Sequence, residues 1–375
     1  MMHDGNTGAA APAVQHDNSS TAMIDWIRRL FSDSGKQAAA PQAAAIAAPT
    51  VKTRTARFAA DDVTSMQRYQ VDFMFSSWLF ESEDQTEIFT NRNEDTILAA
   101  LQEVVNSKDS GAHMVHRMPG VIPQLLQSLR NPEFDGVDLA RRISHDVVLV
   151  AEVLRLANSV AFRPGTPIDG IDHAILVLGQ NGLRQLISGV AFRPIINLNS
   201  GAFTKNLAPR LWAQSEQCAF ACNMLAQDEP ADPLDAFLAG LVQNVGLTVS
   251  LRIIDKICDL RQPIGSPTFC NELAAQGRIL TGNIGREWHF PDAVMTAIRE
   301  QESDEKLARL SPIGKILWMG DYLSKIDILA RRGRLDIEDP KVLEGLSDKE
   351  IDCLKKLVEV DERDWLSAAV AAKSR

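Results

Sequence analysis

The chain has 375 residues, 45% hydrophobic and 23% charged, with 39 basic side chains against 49 acidic ones and a formal net charge of −10. That composition excludes a fibrous or wholly disordered polypeptide. Its acidic balance offers no overall field for a phosphate backbone, so nucleic acid is not an expected partner.

Residues 1–60 differ in kind from the rest. Between Lys36 and Thr50, eight of fifteen residues are Ala, interrupted by Pro41 and Pro49. So little apolar bulk does not offset ordering entropy, and the segment is expected to be a disordered tether. One island inside it, Met23 to Phe31, places Ile24, Ile27 and Phe31 near one helical face beside Arg28 and Arg29. Docking to a membrane surface, to a partner or to the chain's own domain are all open to such a short amphipathic stretch.

From Asp61 onward the apolar spacing becomes helical. Asp61 or Asp62 is expected to cap a helix through Met66, Tyr69, Phe73, Trp78 and Phe80. Asn93-Glu94-Asp95 opens a second, through Ile97, Leu98, Leu101, Val104 and Val105, and these helices form an accessory layer over 61–110. Helical spacing recurs at Leu125–Leu129, Val150–Ala157, Leu183–Val190 and Leu234–Leu241. Pro119 and Pro123 bracket a helix start, Gly179 and Pro194 end helical runs, and Pro291 sits in the first turn of another. Strict period-two alternation is scarce and no hairpin signal bounds it, so the fold class is all-α. The segments after 330 form a charged C-terminal helical extension, 331–375.

Several segments in this order resemble the HDOD domain, a signalling offshoot of the HD phosphohydrolase superfamily. They are Met118-Pro119-Gly120-Val121-Ile122-Pro123 leading into Leu125–Leu129, then Val150-Ala151-Glu152-Val153-Leu154-Arg155-Leu156-Ala157-Asn158-Ser159. Ile171–Gly179 and Ala236–Val242 follow at the family's spacing. The resemblance implies an HD-like helical bundle domain over about 111–330.

An HD phosphohydrolase would hold divalent metal with His, a His-Asp pair and a distant Asp, lowering the pKa of bound water and neutralising phosphoryl charge. By the resemblance, the first histidine becomes Gln214, the His-Asp pair becomes Gln243-Asn244, and the lysine that often follows becomes Leu247. A later histidine falls near Gly277, a His-His pair becomes Glu300-Gln301, and Asp321 alone keeps its acid. Neutral amides are weak donors to a divalent ion but can hydrogen-bond one another across helices. These seven positions are therefore expected to line a degenerate, non-catalytic cleft without metal or cofactor.

Other candidates carry less. His145-Asp146 is a literal His-Asp pair, but it precedes the Leu-Ala-Asn string where Asp146 fits a helix cap. His113 and His116 fit a linker or helix start, His173 a polar helix face, and His289 a core edge beside Trp288. Cys218 and Cys222, four apart, read as buried apolar filler rather than a soft-metal pair. Gly179-Gln180-Asn181-Gly182 and Gly282-Asn283-Ile284-Gly285 lack the strand–loop–helix setting of a phosphate cradle.

All five cysteines lie beyond position 217 without disulfide-like spacing, which fits a reducing compartment. Neither a cationic, apolar leader nor an uninterrupted apolar stretch of about 18 residues is present, so the expected location is the cytoplasm. The resemblance implies a bacterial, non-enzymatic signal-transduction protein with signalling-protein partners, including components of cyclic-dinucleotide or two-component pathways. Two other readings stay open: a residual metal-dependent phosphohydrolase using Glu216, Glu300 and Asp321, and a small-molecule receptor built on the former metal cleft.

Overall fold

The computed structural model describes residues 63–82, 87–107, 201–259, 262–301 and 307–359, with isolated helical positions at 173, 182, 185, 188 and 189. The tether and its 23–31 island, the strings at 118–129, 150–159 and, apart from half-buried His173, 171–179, and His113, His116 and His145-Asp146 all lie outside the described residues. Among the described residues every regular element is helical. In chain order these are α1 Ser65–Phe80, α2 Arg92–Asn106, α3 Ala202–Ala226, α4 Pro233–Val242, α5 Val245–Ile257, α6 Pro267–Glu287, α7 Asp292–Glu300, α8 Pro312–Arg331, a single turn α9 Pro340–Leu343, and α10 Asp348–Glu359.

Two long helices carry the body. The α3 helix is buried along most of its 25 residues, and α8 is almost as enclosed. They pack on each other, with α4 against both, while α5 and α6 pair beside them. Close approach is built in where α5 crosses α6. Any side chain at Gly246 would collide with the Gly277 carbonyl, while a Cβ at Gly277 would sit tightly, 3.3 Å, against the Leu247 backbone. The run Pro233–Ile257 is long and apolar enough to cross a membrane by composition, yet 78% of its apolar 18-residue window is buried in the fold.

Local capping differs from expectation at the first helix. Thr64, not Asp61 or Asp62, caps α1, sharing a reciprocal capping box with Gln67. Met66, Tyr69 and Phe73 are exposed rather than inward, because the helix turns Val71, Phe75 and Leu79 to the body. The α2 helix starts one turn position earlier than Asn93: Asn91 is its cap, boxed with Glu94. Glu94 is fully buried and also accepts from the Gly265 and Ser266 amides at 2.8 and 2.9 Å and from the Ser266 hydroxyl at 2.8 Å. One carboxylate thus braces α2 to the start of α6.

Pro291 stands at the cap position of α7, just outside its first turn. His289 is exposed and left-handed (φ 55°), closing α6 while Trp288 and Phe290 are buried on either side. It therefore belongs to a solvent-facing turn, not to a core edge. In the C-terminal extension, Arg331 pairs with buried Asp327 at 2.8 Å and donates to the Leu357 and Val358 carbonyls, tying the end of α10 to α8. Arg331, the first residue of the sequence Arg331-Arg332-Gly333-Arg334, is thus spent inside the fold.

Candidate functional site

The site forms where α3, α8 and the α4–α5 break meet. Gln214 lies on the buried face of α3, and Asp321 is midway along α8 and buried. Gln243 ends α4 and Asn244 begins α5, so the break itself aims two amides at the same place.

These four side chains form one network. Gln214 donates from Nε2 to Asp321 Oδ1 and to Ser324 Oγ, both at 2.9 Å. Gln243 donates to the same Asp321 oxygen at 3.2 Å. Asn244 donates to Gln214 Oε1 at 2.5 Å and to Ser215 Oγ at 3.1 Å. Both amide protons of Gln214 and its carbonyl oxygen therefore have partners, which is what a fully buried amide requires.

Asn244 leaves its own helix uncapped to do this. Thr281 of α6 takes over: its hydroxyl oxygen accepts from the Gly246 amide at 2.9 Å, and it lies 3.0 Å from the Gln243 and Gly277 carbonyls. That substitution satisfies one of the unpaired amides that every helix start presents.

The second oxygen of Asp321 meets cations. Arg68 of α1 approaches Oδ2 at 2.9 Å and Lys325, one turn further along α8, at 2.7 Å. Asp72 of α1 closes the square, 2.6 Å from Lys325 and 3.7 Å from Arg68. Arg68 also donates to the Trp318 carbonyl at 2.6 Å and stacks 4.5 Å over the Trp318 ring. Burial alone would raise the Asp321 carboxyl, but Lys325 and Arg68 outweigh it and hold the group below the ordinary carboxylate range. Burial alone would lower the Lys325 ammonium, and Asp321 and Asp72 instead hold it above the usual lysine range. The quartet sets two basic side chains against two acidic ones.

Asp321 thus accepts four hydrogen bonds, two from neutral amides and two from the protein's own cations. A divalent ion needs several anionic or imidazole donors with free lone pairs. Among the described residues Asp321 is saturated, Asp72 is paired with the same two cations and the other neighbours are amides, so this donor set does not fit such an ion. Among the described residues no three His, Cys, Asp or Glu side chains converge on a point.

The remaining sequence candidates lie elsewhere. Glu300 accepts from the Ser311 amide at 3.0 Å and hydroxyl at 2.7 Å, at the cap of α8. Gln301 donates to the Ala297 and Gly314 carbonyls, both at 3.0 Å, bridging α7 to α8. Gly277 serves the α5–α6 crossing described above. Cys218 and Cys222 are fully buried with sulfurs 3.9 Å apart, and burial pushes the Cys218 thiol well up. Sequence reasoning missed Arg68, Asp72 and Lys325. Their only signal was two oppositely ordered ion pairs at i,i+4 spacing, Arg68–Asp72 and Asp321–Lys325.

The HDOD domain family model matches residues 115–303. An uncharacterised protein of Treponema pallidum (strain Nichols) is 23% identical over 194 residues, 49% of this chain, and the match spans 37% of that relative's length. A solved structure from Shewanella amazonensis SB2B, provisionally named a metal-dependent phosphohydrolase, superposes with a TM-score of 0.50 at 18% identity, covering 75% of this chain and all of the other. A provisionally named signal transduction protein from Marinobacter aquaeolei VT8 gives 0.45 at 17% identity, covering 83% of this chain and 67% of the other. The Shewanella likeness extends to the helical fold alone.

Proposed function

The chain belongs to the HDOD family, and on that premise we propose that it is a non-catalytic signal-transduction protein whose former metal cleft serves as a docking surface. The observation that carries this reading is the saturated Asp321 carboxylate. Where a metal-dependent hydrolase would present open donors to an ion, this chain presents two amides, a lysine and an arginine already engaged. Among the described residues this arrangement offers no open ligand position for an ion that would activate water, which supports the reading.

Binding remains available to it. Gln243 and Asn244 are only half-buried, so one face of the amide network is open to a partner while its inner face is satisfied. Glu300, a donor that a residual hydrolase would need, is engaged at the cap of α8. Its partners in this reading are other signalling proteins of a bacterial cytoplasm.

The test is metal analysis of the purified full chain together with hydrolysis of a generic phosphodiester, bis(4-nitrophenyl) phosphate, in added manganese. The reading expects neither stoichiometric metal nor turnover above the uncatalysed rate. Stoichiometric iron, manganese or zinc with turnover abolished by Asp321→Ala would overturn it.

A further inference from the structure

A different surface lies toward the far end of α1, beyond the charge square. Phe73, Met74 and Ser77 of α1 line one wall of a groove of about 180 Å³, and Ser82, Pro267 and Arg334 line the rest. Cavities of roughly 150 Å³ already take an aromatic ring. The rim is apolar: Phe73 is 42% exposed, and Ile88 and Phe89 are 62% and 77% exposed. Thr268 donates to the Ile88 carbonyl from its amide at 3.2 Å and its hydroxyl at 2.8 Å, which sets the Ile88–Phe89 segment beside Pro267. The same end of the fold is where α10 stops. Arg331, the last residue of α8, holds the Leu357 and Val358 carbonyls at 2.7 and 3.0 Å, so the chain leaves α10 at Glu359 beside the end of α8. Arg334, three residues beyond that anchor, already stands in the groove wall.

We propose that this groove is the seat of residues 360–370 of the same chain, a segment outside the described residues, with the Trp365 ring held against Phe73 and Pro267. Position favours this occupant. Trp365 comes six residues after Glu359, and six extended residues span up to about 20 Å, enough to carry the ring from the α10 anchor past Arg334. Composition favours it as well. Asp361, Glu362 and Asp364 outnumber Arg363 before Trp365 and Leu366, so an acidic run followed by an apolar pair meets Arg332 and Arg334 followed by an apolar groove. A tether this short gives the segment an effective concentration on the order of millimolar, so a modest contact keeps it seated. Seated there, it covers the exposed Phe73 ring, ties the C-terminal extension to α1 and closes this face to other apolar partners. The inference goes beyond the reading of the Asp321 cleft and does not depend on it.

The test is amide hydrogen exchange of the full chain, resolved by peptide mass spectrometry, in wild type and in the Phe73→Ala and Trp365→Ala variants. Phe73 is partly exposed, so its truncation spares the core, and unchanged exchange in α2 and α3 is the check on folding. Wild type should protect the amides of 362–370, and Phe73→Ala should speed their exchange by at least about fivefold. Reciprocally, Trp365→Ala should speed exchange across 73–80 and 87–90 by about twofold. Met66→Ala, two turns from Phe73 on the exposed stripe of α1 and outside the groove, is the control and should change neither region. Absence of protection at 362–370 in wild type, or protection indifferent to Phe73→Ala, would overturn the inference and leave the groove to a different protein. Loss of protection in Met66→Ala equal to that in Phe73→Ala would also overturn it. Protection that grows with protein concentration would overturn it in favour of the same segment from a second copy.

Discussion

Two buried carboxylates in this fold are each surrounded by four donors, and they do different work. Glu94 accepts from three backbone amides and one serine hydroxyl, all neutral and mostly fixed by the main chain. Asp321 accepts from four side chains on four different segments, two of them cationic. Backbone donors cannot leave without unfolding a loop, whereas side chains can rotate or depart with their helix. Glu94 is accordingly a brace on the main chain, and Asp321 is the centre of a side-chain clasp between helices.

Replacing Glu94 with Ala should therefore be the most damaging change. Several buried donors would lose their acceptor at about 1–3 kcal/mol each, so urea denaturation should show a loss on the order of 4 kcal/mol. Asp321→Ala should cost less, about 3 kcal/mol, because Asp72 remains as a counter-ion for Lys325 and Arg68. If the two losses were reversed in order, the contrast between brace and clasp would collapse.

Acidity sharpens the same contrast. Asp321 has a depressed carboxyl, so its contribution is fully present above the unfolded value of about 4 and is lost as pH falls through the lower folded value. Lys325 has a raised ammonium, so its contribution holds below an unfolded value of about 10.4 and is lost as pH rises through the higher folded value. Between those limits the clasp should not respond to pH. Asp321→Asn should flatten part of the acid limb of a stability–pH profile and leave the neutral region level. An inflection near neutrality arising from this quartet would contradict the assignment.

A smaller effect separates helix from helix. Arg68→Ala should remove about 1–2 kcal/mol of local stability from α1, seen as faster amide exchange across 65–80 with α2 unchanged. Added salt should move α1 in the same direction, since the rim of the clasp is partly exposed and screened. Equal acceleration in α2 would mean that the square is part of the general core. Smallest of all, Gln243→Ala should cost under about 1 kcal/mol, because the Asp321 oxygen it leaves keeps Gln214 as a donor.

The sequence made the helical class legible, since apolar residues such as Leu234, Phe237, Leu238 and Leu241 recur at helical spacing and are all buried on α4. The first helix was harder because it has two apolar faces: Met66, Tyr69 and Phe73 on one and Val71, Phe75 and Leu79 on the other. Spacing alone does not say which one faces the body. At the site, family resemblance singled out Gln214, Gln243, Asn244 and Asp321, which the fold brings into one network, along with Glu300 and Gln301, which it places at the α7–α8 joint. Arg68 could not be read out in this way, for it comes from 253 residues away. Its i,i+4 partner Asp72 gives it the look of an ordinary solvated helix face, and only packing reveals that both turn inward.

Manganese uptake by the full chain, followed by equilibrium dialysis in wild type and in the Lys325→Ala variant, tests the central claim most directly. If the protein's own cations hold the position a metal would need, wild type takes up no stoichiometric manganese at neutral pH. Removing Lys325 alone also fails to create a tight site, because the amides and Arg68 remain. Stoichiometric, saturable uptake by the wild-type chain that requires Asp321 would contradict the account.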